Sequence, residues 1–265
     1  MSIDSLYQKY CDRVSQTVAK VQAGDAFDAF KADPIYRHIL EHVTPTIATN
    51  LLEESRKRFN LTDEEMELFI LENDKIGHPI KEPVPHWNGT LSSPSNFRYI
   101  YHSHLILQHL ATLNCLEIDI VEIGGGYGGL CLALSIYAQK FGITIHTYHF
   151  IDLAPIISLQ QLYLDYHNPS LSRSFHPADT FGSNVHKSSK PLYLVSCYAF
   201  TEINQSLQNS YIATLFPKID HGFVINNGPK GPAEKDFIGR LNKAITTEPD
   251  FTEPGHALLN TFWFF

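Results

Sequence analysis

The stretch Asp119-Ile-Val-Glu-Ile-Gly-Gly-Gly-Tyr-Gly-Gly-Leu130 limits this chain more than any other. Ile118 to Ile123 is an apolar run of strand length, and it stops at three consecutive glycines. Beyond Gly129 the apolar positions become Leu130, Leu132, Ala133, Leu134, Ile136 and Tyr137, which suits a buried helix. Strand, glycine turn and helix make the first half of a βαβ unit. Glycine suits the turn because it accepts positive φ and lets a ligand approach the backbone, where a Cβ would stand in the way. The start of the helix then offers N–H groups without intrahelical partners to whatever fills the turn. Gly124, Gly125, Gly126 and Tyr127 are therefore expected to form a cofactor cradle.

Two cofactor classes compete for it. Gly124, Gly126 and Gly129 satisfy G-x-G-x-x-G, and Asp152 lies 23 residues beyond Gly129, as in dinucleotide-binding proteins. Glu122 argues the other way. A carboxylate two positions before the first glycine sits badly beside a pyrophosphate, which the turn and the helix start should attract. It suits a ligand with positive charge and no phosphate, which describes S-adenosyl-L-methionine. A nicotinamide-dinucleotide-dependent oxidoreductase or epimerase is the alternative, although its Tyr-x-x-x-Lys dyad is absent. A catalytically silent fold kept for binding is a third class, since an intact cradle does not prove turnover.

The whole chain sets bounds on this reading. At 265 residues it allows one large domain or two small ones. A net charge of −8 argues against non-specific nucleic-acid binding, so no nucleic-acid partner is expected. Cys11, Cys115, Cys131 and Cys197 form no C-x-x-C pair, and they read as buried thiols of a reducing, cytoplasmic compartment. No apolar run has membrane-spanning length and no signal peptide is expected. The oligomeric state is left open, a homodimer included.

Residues 1–94 read as an α-helical N-terminal region with a linker, and 95–265 as the cofactor domain. Helical spacing runs over 3–23, then from an Asp33 cap with Pro34 in the first turn to Val43, and again over 47–59. Thr62 with Glu65 predicts a capping box. His38-Ile-Leu-Glu41-His42 matches H-x-x-E-H, but no third ligand accompanies it and no metal is expected. A proline-rich stretch leads to Ser95, where a helix running to about Asn114 begins, and Arg98 is a candidate for a methionine carboxylate. Strands follow at 143–151, 172–176, 192–197 and 221–226, with helices between them, at 156–166 and about 201–216. A helix over 233–246 and a terminal strand pair, Thr247–Phe251 and His256–Phe265 across Glu253-Pro-Gly255, complete the chain. Such alternation requires a mostly parallel sheet with helices on both faces. The expected class is α/β: a Rossmann-like class I methyltransferase fold with a seven-stranded sheet and an antiparallel C-terminal hairpin.

The chain resembles the sugar O-methyltransferases of bacterial and some viral surface-polysaccharide clusters. The resemblance rests on Ile120-Val-Glu-Ile-Gly-Gly-Gly-Tyr-Gly-Gly129, on Phe150-Ile-Asp-Leu-Ala-Pro155 running into Leu159-Gln-Gln-Leu-Tyr-Leu164, and on Val195-Ser-Cys-Tyr-Ala-Phe-Thr-Glu202. Gln208-Asn-Ser-Tyr211 and His221-Gly-Phe-Val-Ile-Asn226 extend it, so that it covers roughly 95–227. Cys197 stands where the family has Asn, and Thr201 where it has Ser. The resemblance implies S-adenosyl-L-methionine as cofactor and a sugar or glycan hydroxyl as acceptor; a methyltransferase acting on another small acceptor is the alternative within that class.

Methyl transfer to a hydroxyl needs alignment of oxygen, carbon and sulfur, and a group to take up the proton. Glu202, after the fourth strand, is the first candidate for that base, with His221 and Asp179 behind it. Asp152 is placed to hold a ribose diol, with Leu153 beside it. Asp179 is the candidate for an adenine amino group, and Ser196 completes the cofactor set. Tyr198 and Asn226 are the candidates for orienting the sugar.

Overall fold

The computed structural model describes residues 3–24, 27, 29–252 and 259–265, with 3–6 described by backbone only. In chain order its helices are α1 (Ile3–Gln22), α2 (Pro34–Ile39), α3 (Pro45–Phe59), α4 (Asp63–Asn73), α5 (Ser95–Thr112), α6 (Gly129–Tyr137), α7 (Ala154–His167), α8 (Gln205–Thr214) and α9 (Pro232–Leu241). Its strands are β1 (Glu82–Pro83), β2 (Leu91–Ser92), β3 (Glu117–Ile123), β4 (Thr144–Asp152), β5 (Ser172–Pro177), β6 (Leu192–Cys197), β7 (His221–Asn226), β8 (Thr246–Pro249) and β9 (Thr261–Phe264).

These elements form two compact units that interleave along the chain. A helical unit holds Met1–Leu105, Gly126–Tyr137 and Ala154–Pro169, and a sheet unit holds Ile106–Gly125, Ala138–Leu153 and Ser170–Phe265. The division therefore differs from the single boundary expected at 94/95. The reason lies in packing: α1 lies along α7 and α4 against α6, so those two crossover helices group with the N-terminal ones.

In the helical unit the local signals act as expected. The Asp33 carboxylate accepts from the N–H groups of Ile35 and Tyr36, and Pro34 fills the first turn of α2, which ends at Ile39 rather than Val43. Thr62 and Glu65 exchange both bonds of a capping box. Each such cap is worth about 1 kcal/mol. The interior of this unit is unusually polar. Lys31 is 1% exposed, and its Nζ donates to the Asn73 carbonyl (2.5 Å) and Oδ1 (3.0 Å). It also stands over the rings of Tyr127 (4.5 Å) and Tyr163 (5.3 Å). Asn73 accepts from the Tyr163 hydroxyl (2.6 Å) and donates to Asn96 Oδ1 (2.6 Å) and the Tyr127 hydroxyl (3.2 Å). Burial lowers the Lys31 pKa to about 8 and raises that of Glu41, whose carboxylate accepts from the Ser93 hydroxyl.

The sheet unit has strand order β5-β4-β3-β6-β7-β9-β8. The pairs from β5 to β7 are parallel, and β9 pairs antiparallel with β7 and β8. The α/β class, the seven strands and the antiparallel C-terminal strands are those expected from the sequence. β6 and β7 match their expected bounds residue for residue. One irregularity escaped the pattern. The β3–β4 register slips between Ile118–Ile145 and Ile120–Tyr148, and the Asp119 carboxylate takes the Thr147 N–H that the bulge frees. α8 starts at Gln205, where the Asn204 side chain accepts from the Leu207 N–H. α9 ends at Leu241, before an αL Asn242 at φ 50°. The turn Glu253-Pro-Gly255 and the start of the last strand at His256–Leu258 lie outside the described residues. Val121, Ile123, Leu194, Val224 and Trp263 of the sheet pack with Phe200, Leu215, Phe216 and Phe237 in one apolar cluster. Each such side chain contributes about 1.5–3 kcal/mol by leaving water. Among the described residues, no helix is long and apolar enough to cross a membrane.

Candidate functional site

The chain runs β3, β4, β5 to one side of the sheet and returns to β6 on the other side of β3. That reversal opens a crevice at the carboxyl ends of β3 and β6, where open parallel sheets bind their ligands. Glu122 lies there, 2% exposed, paired in register with Phe150 of β4 and Val195 of β6. The Tyr148 hydroxyl donates to Glu122 Oε2 at 2.9 Å. Burial pushes the Glu122 carboxyl up to about 8, the Tyr148 bond opposes that rise, and the Asp152 carboxylate adds to it. A buried carboxyl facing a neutral phenol and a like charge is poised for a cation.

The glycine turn begins inside the ladder, with the Gly124 N–H donating to the Ile151 carbonyl. Gly124 adopts φ +75°, and a Cβ there would come within 2.3 Å of the Ala199 Cβ. A Cβ on Gly125 would come within 2.7 Å of Glu122 Oε2. Gly124 thus has the positive φ expected of the turn, and both glycines also leave room for the protein's own side chains, Ala199 and Glu122.

Other expected residues share this edge. Asp152 ends β4, half-buried, with Oδ1 accepting from the Leu153 N–H (2.8 Å). Leu153 is 43% exposed, an apolar surface beside a carboxylate, which suits a ribose with its base. Asp179 is exposed in the short helical turn after β5. Tyr198 follows β6 at φ +62°, a left-handed conformation that a bulky residue adopts at some cost. Glu202 is exposed in the turn beyond it and accepts a hydrogen bond from Asn227 Nδ2.

Three expected residues are used differently. His221 opens β7 and so lies at the amino edge of the sheet, a full strand of about 16 Å from Asn226 and the crevice. Its electrostatic neighbours are His109 and Asp220, so it is not placed to serve as the base. Asn226 is fully buried, its Nδ2 donating to Pro229 O, Glu234 and Thr261, its Oδ1 accepting from the Gly228 N–H. It braces the end of β7 and cannot present its amide to a sugar. The Ser196 hydroxyl, also fully buried, donates to the Ile123 carbonyl and accepts from the Phe200 N–H. It ties β3 to the turn after β6.

The remaining candidates belong to the helical unit. Gly126, at φ +56°, has its carbonyl bonded by Gln160 Nε2 at 2.9 Å. The Tyr127 ring is fully buried among Phe30, Tyr36, Tyr99 and Tyr163, so only its backbone is left for a ligand. Arg98 is 7% exposed, with Nη1 3.4 Å from His42 Nε2, and its charge helps burial to depress the His102 pKa. This placement engages His42 and Glu41 with protein partners, and among the described residues no group of three His, Cys, Asp or Glu could hold a metal ion.

Sequence reasoning missed Tyr148 and Ala199. The signal for Tyr148 was an aromatic hydroxyl on the adjacent strand, hidden by the bulge that turns it toward Glu122. Ala199 was legible only as a small residue three positions past Ser196.

No protein-family model matches the chain, and no curated protein sequence matches it. Among solved structures it is similar to the methyltransferase domain of bacterial CtHen1-C, with 9% identity over 62% of this chain and 95% of that one, TM-score 0.48. It is similar to the mitomycin 7-O-methyltransferase MmcR, with 11% identity over 64% of this chain and 57% of that one, TM-score 0.43. An S-adenosylmethionine-dependent methyltransferase from Clostridium acetobutylicum shares 10% identity over 61% of this chain and 89% of that one, TM-score 0.45. At such scores these likenesses carry no argument, and the fold rests on the strand order and register above.

Proposed function

We propose that this chain is an S-adenosyl-L-methionine-dependent O-methyltransferase that acts on a sugar hydroxyl in glycan biosynthesis. The observation that carries the cofactor reading is Glu122, a buried carboxyl at the end of the first parallel strand whose facing groups are a phenol and another carboxylate. A pyrophosphate there would meet two carboxyl groups, whereas a cation would relieve the desolvation of one of them. Asp152, half-exposed beside Leu153, suits a ribose diol, and Asp179 is exposed near the same edge. The cofactor would supply a methyl group on a sulfonium, already activated toward displacement. The sugar acceptor is supported by the resemblance in sequence alone.

Of the three candidate bases, Glu202 and Asp179 follow the carboxyl ends of strands, and Glu202 is the first choice. It is exposed, and Asn227 orients its carboxylate, so it can take the proton as the carbon–oxygen bond forms. The left-handed conformation of Tyr198, between β6 and Glu202, supports a role for it in orienting the acceptor.

A screen of nucleotide sugars and glycans with methyl-labelled cofactor tests this directly. Label should appear on a sugar hydroxyl, and Glu202→Gln should lower turnover by about 10²-fold or more while cofactor affinity stays nearly unchanged. Transfer only to RNA or to phenols would sink the sugar reading, and tighter binding of NAD than of S-adenosylhomocysteine would sink the cofactor reading.

A further inference from the structure

Resting on the cofactor reading above, we infer that Glu122 couples uptake of the cationic methyl donor to release of a proton. The carboxyl holds its proton in the free protein, yields it to solvent as the positive ligand arrives, and regains it when the ligand leaves.

The geometry makes this the expected behaviour. The side chain is 2% exposed, so an anion there would forgo most of its hydration. The titratable groups that face it both come from β4: Tyr148, which donates one hydrogen bond, and Asp152, which is a like charge. On β6 its register partner is Val195, and the next residue, Ser196, spends its hydroxyl on Ile123 and Phe200. Gly125 adds no side chain but closes over the carboxylate, since a Cβ there would lie 2.7 Å from Oε2. One neutral donor does not compensate a buried charge, so protonation is the cheaper state until a cation enters. The direction agrees with a carboxyl pushed up to about 8.

The consequence is a cofactor affinity that climbs with pH where most carboxylates have already titrated. For a group that titrates near 8, about 0.9 proton should leave per ligand bound at pH 7. Affinity should rise close to tenfold from pH 6 to pH 7.

Calorimetric titration of the full-length protein with S-adenosylmethionine, in buffers of different ionisation enthalpy at pH 7, counts that proton. The expected result is a release near 0.9 in the wild type and none in Glu122→Gln. Tyr148→Phe keeps the acid but deletes the bond that favours its anion, and it should move the midpoint of release to higher pH. Binding without proton release in the wild type overturns the inference and leaves the cofactor reading standing. Equal release from Glu122→Gln overturns it too, because the proton would then come from elsewhere. Failure to bind the donor at any pH is the separate outcome that removes the cofactor reading, and the inference with it.

Discussion

The helical and sheet units solve the problem of burial in opposite ways. The sheet unit closes around Val121, Leu194, Val224, Phe237 and Trp263, and its polar braces such as Asn226 and Ser196 sit where strands end. The helical unit places a lysine, two asparagines and two tyrosines in its centre, where Lys31 and Asn73 connect Asn96, Tyr127 and Tyr163. Apolar clusters tolerate the loss of a methyl group, because neighbours relax and no group is stranded. A polar network does not, since each deleted partner leaves a donor or acceptor without water. The two units should therefore differ in how they fail.

The largest effect is expected from Asn73→Ala. It strips partners from Lys31, Asn96, Tyr127 and Tyr163 together, and should cost about 3 kcal/mol or more by urea unfolding. A loss below about 1 kcal/mol would mean that the network is not the tight arrangement described, and the contrast would break.

Next come two opposed pH dependences. Lys31 is protonated up to about 8 when folded and to 10.5 when unfolded. Between those values the unfolded chain binds more protons, so stability rises with pH, by about 2 kcal/mol from pH 8 to 10. Glu122 runs the other way. Its folded value of about 8 exceeds the ordinary carboxyl value of 4.5, so the folded chain holds more protons between them. Its contribution is present in acid and falls by about 2 kcal/mol from pH 5 to 7. Stability curves of Lys31→Met and Glu122→Gln, each set against the wild type, should lose one of these slopes apiece. A variant curve parallel to the wild type would remove its residue from this account.

The smallest effect is a sharpening of the comparison. Ile225→Val near the carboxyl end of β7 removes one methylene from the sheet and should cost about 1 kcal/mol in thermal unfolding. A cost approaching that of Asn73→Ala would show the apolar unit to be no more forgiving than the polar one.

The same contrast explains what could be read in advance. Strands declare themselves through runs of Ile, Val and Leu, which is why β6 and β7 were legible residue for residue, and caps at Asp33 and Thr62 have local signatures. Asn73 has none. It ends an ordinary helix, and the partners that give it meaning lie 23, 54 and 90 residues away in sequence. Tyr127 was expected in the cofactor cradle, and its ring belongs to the aromatic interior. At the candidate site, Glu122 and Asp152 were expected from their distance to the glycines, and they lie at the carboxyl ends of β3 and β4. The bulge at Thr147, and with it the approach of Tyr148, depends on a side-chain acceptor 28 residues distant. His221 was chosen although the expected bounds of β7 already put it at the amino end of the strand, away from the carboxyl edge.

The grouping of α6 and α7 with the N-terminal helices bears on how such a chain can be cut or inherited. A deletion ending at Pro94 would strip α7 of α1 and α6 of α4, and take Lys31 and Asn73 away from Tyr163. The leading helices are thus no detachable cap that could be traded for another to change what the protein acts upon. Any fusion or swap has to respect a division of the chain that falls between Gly125 and Gly126.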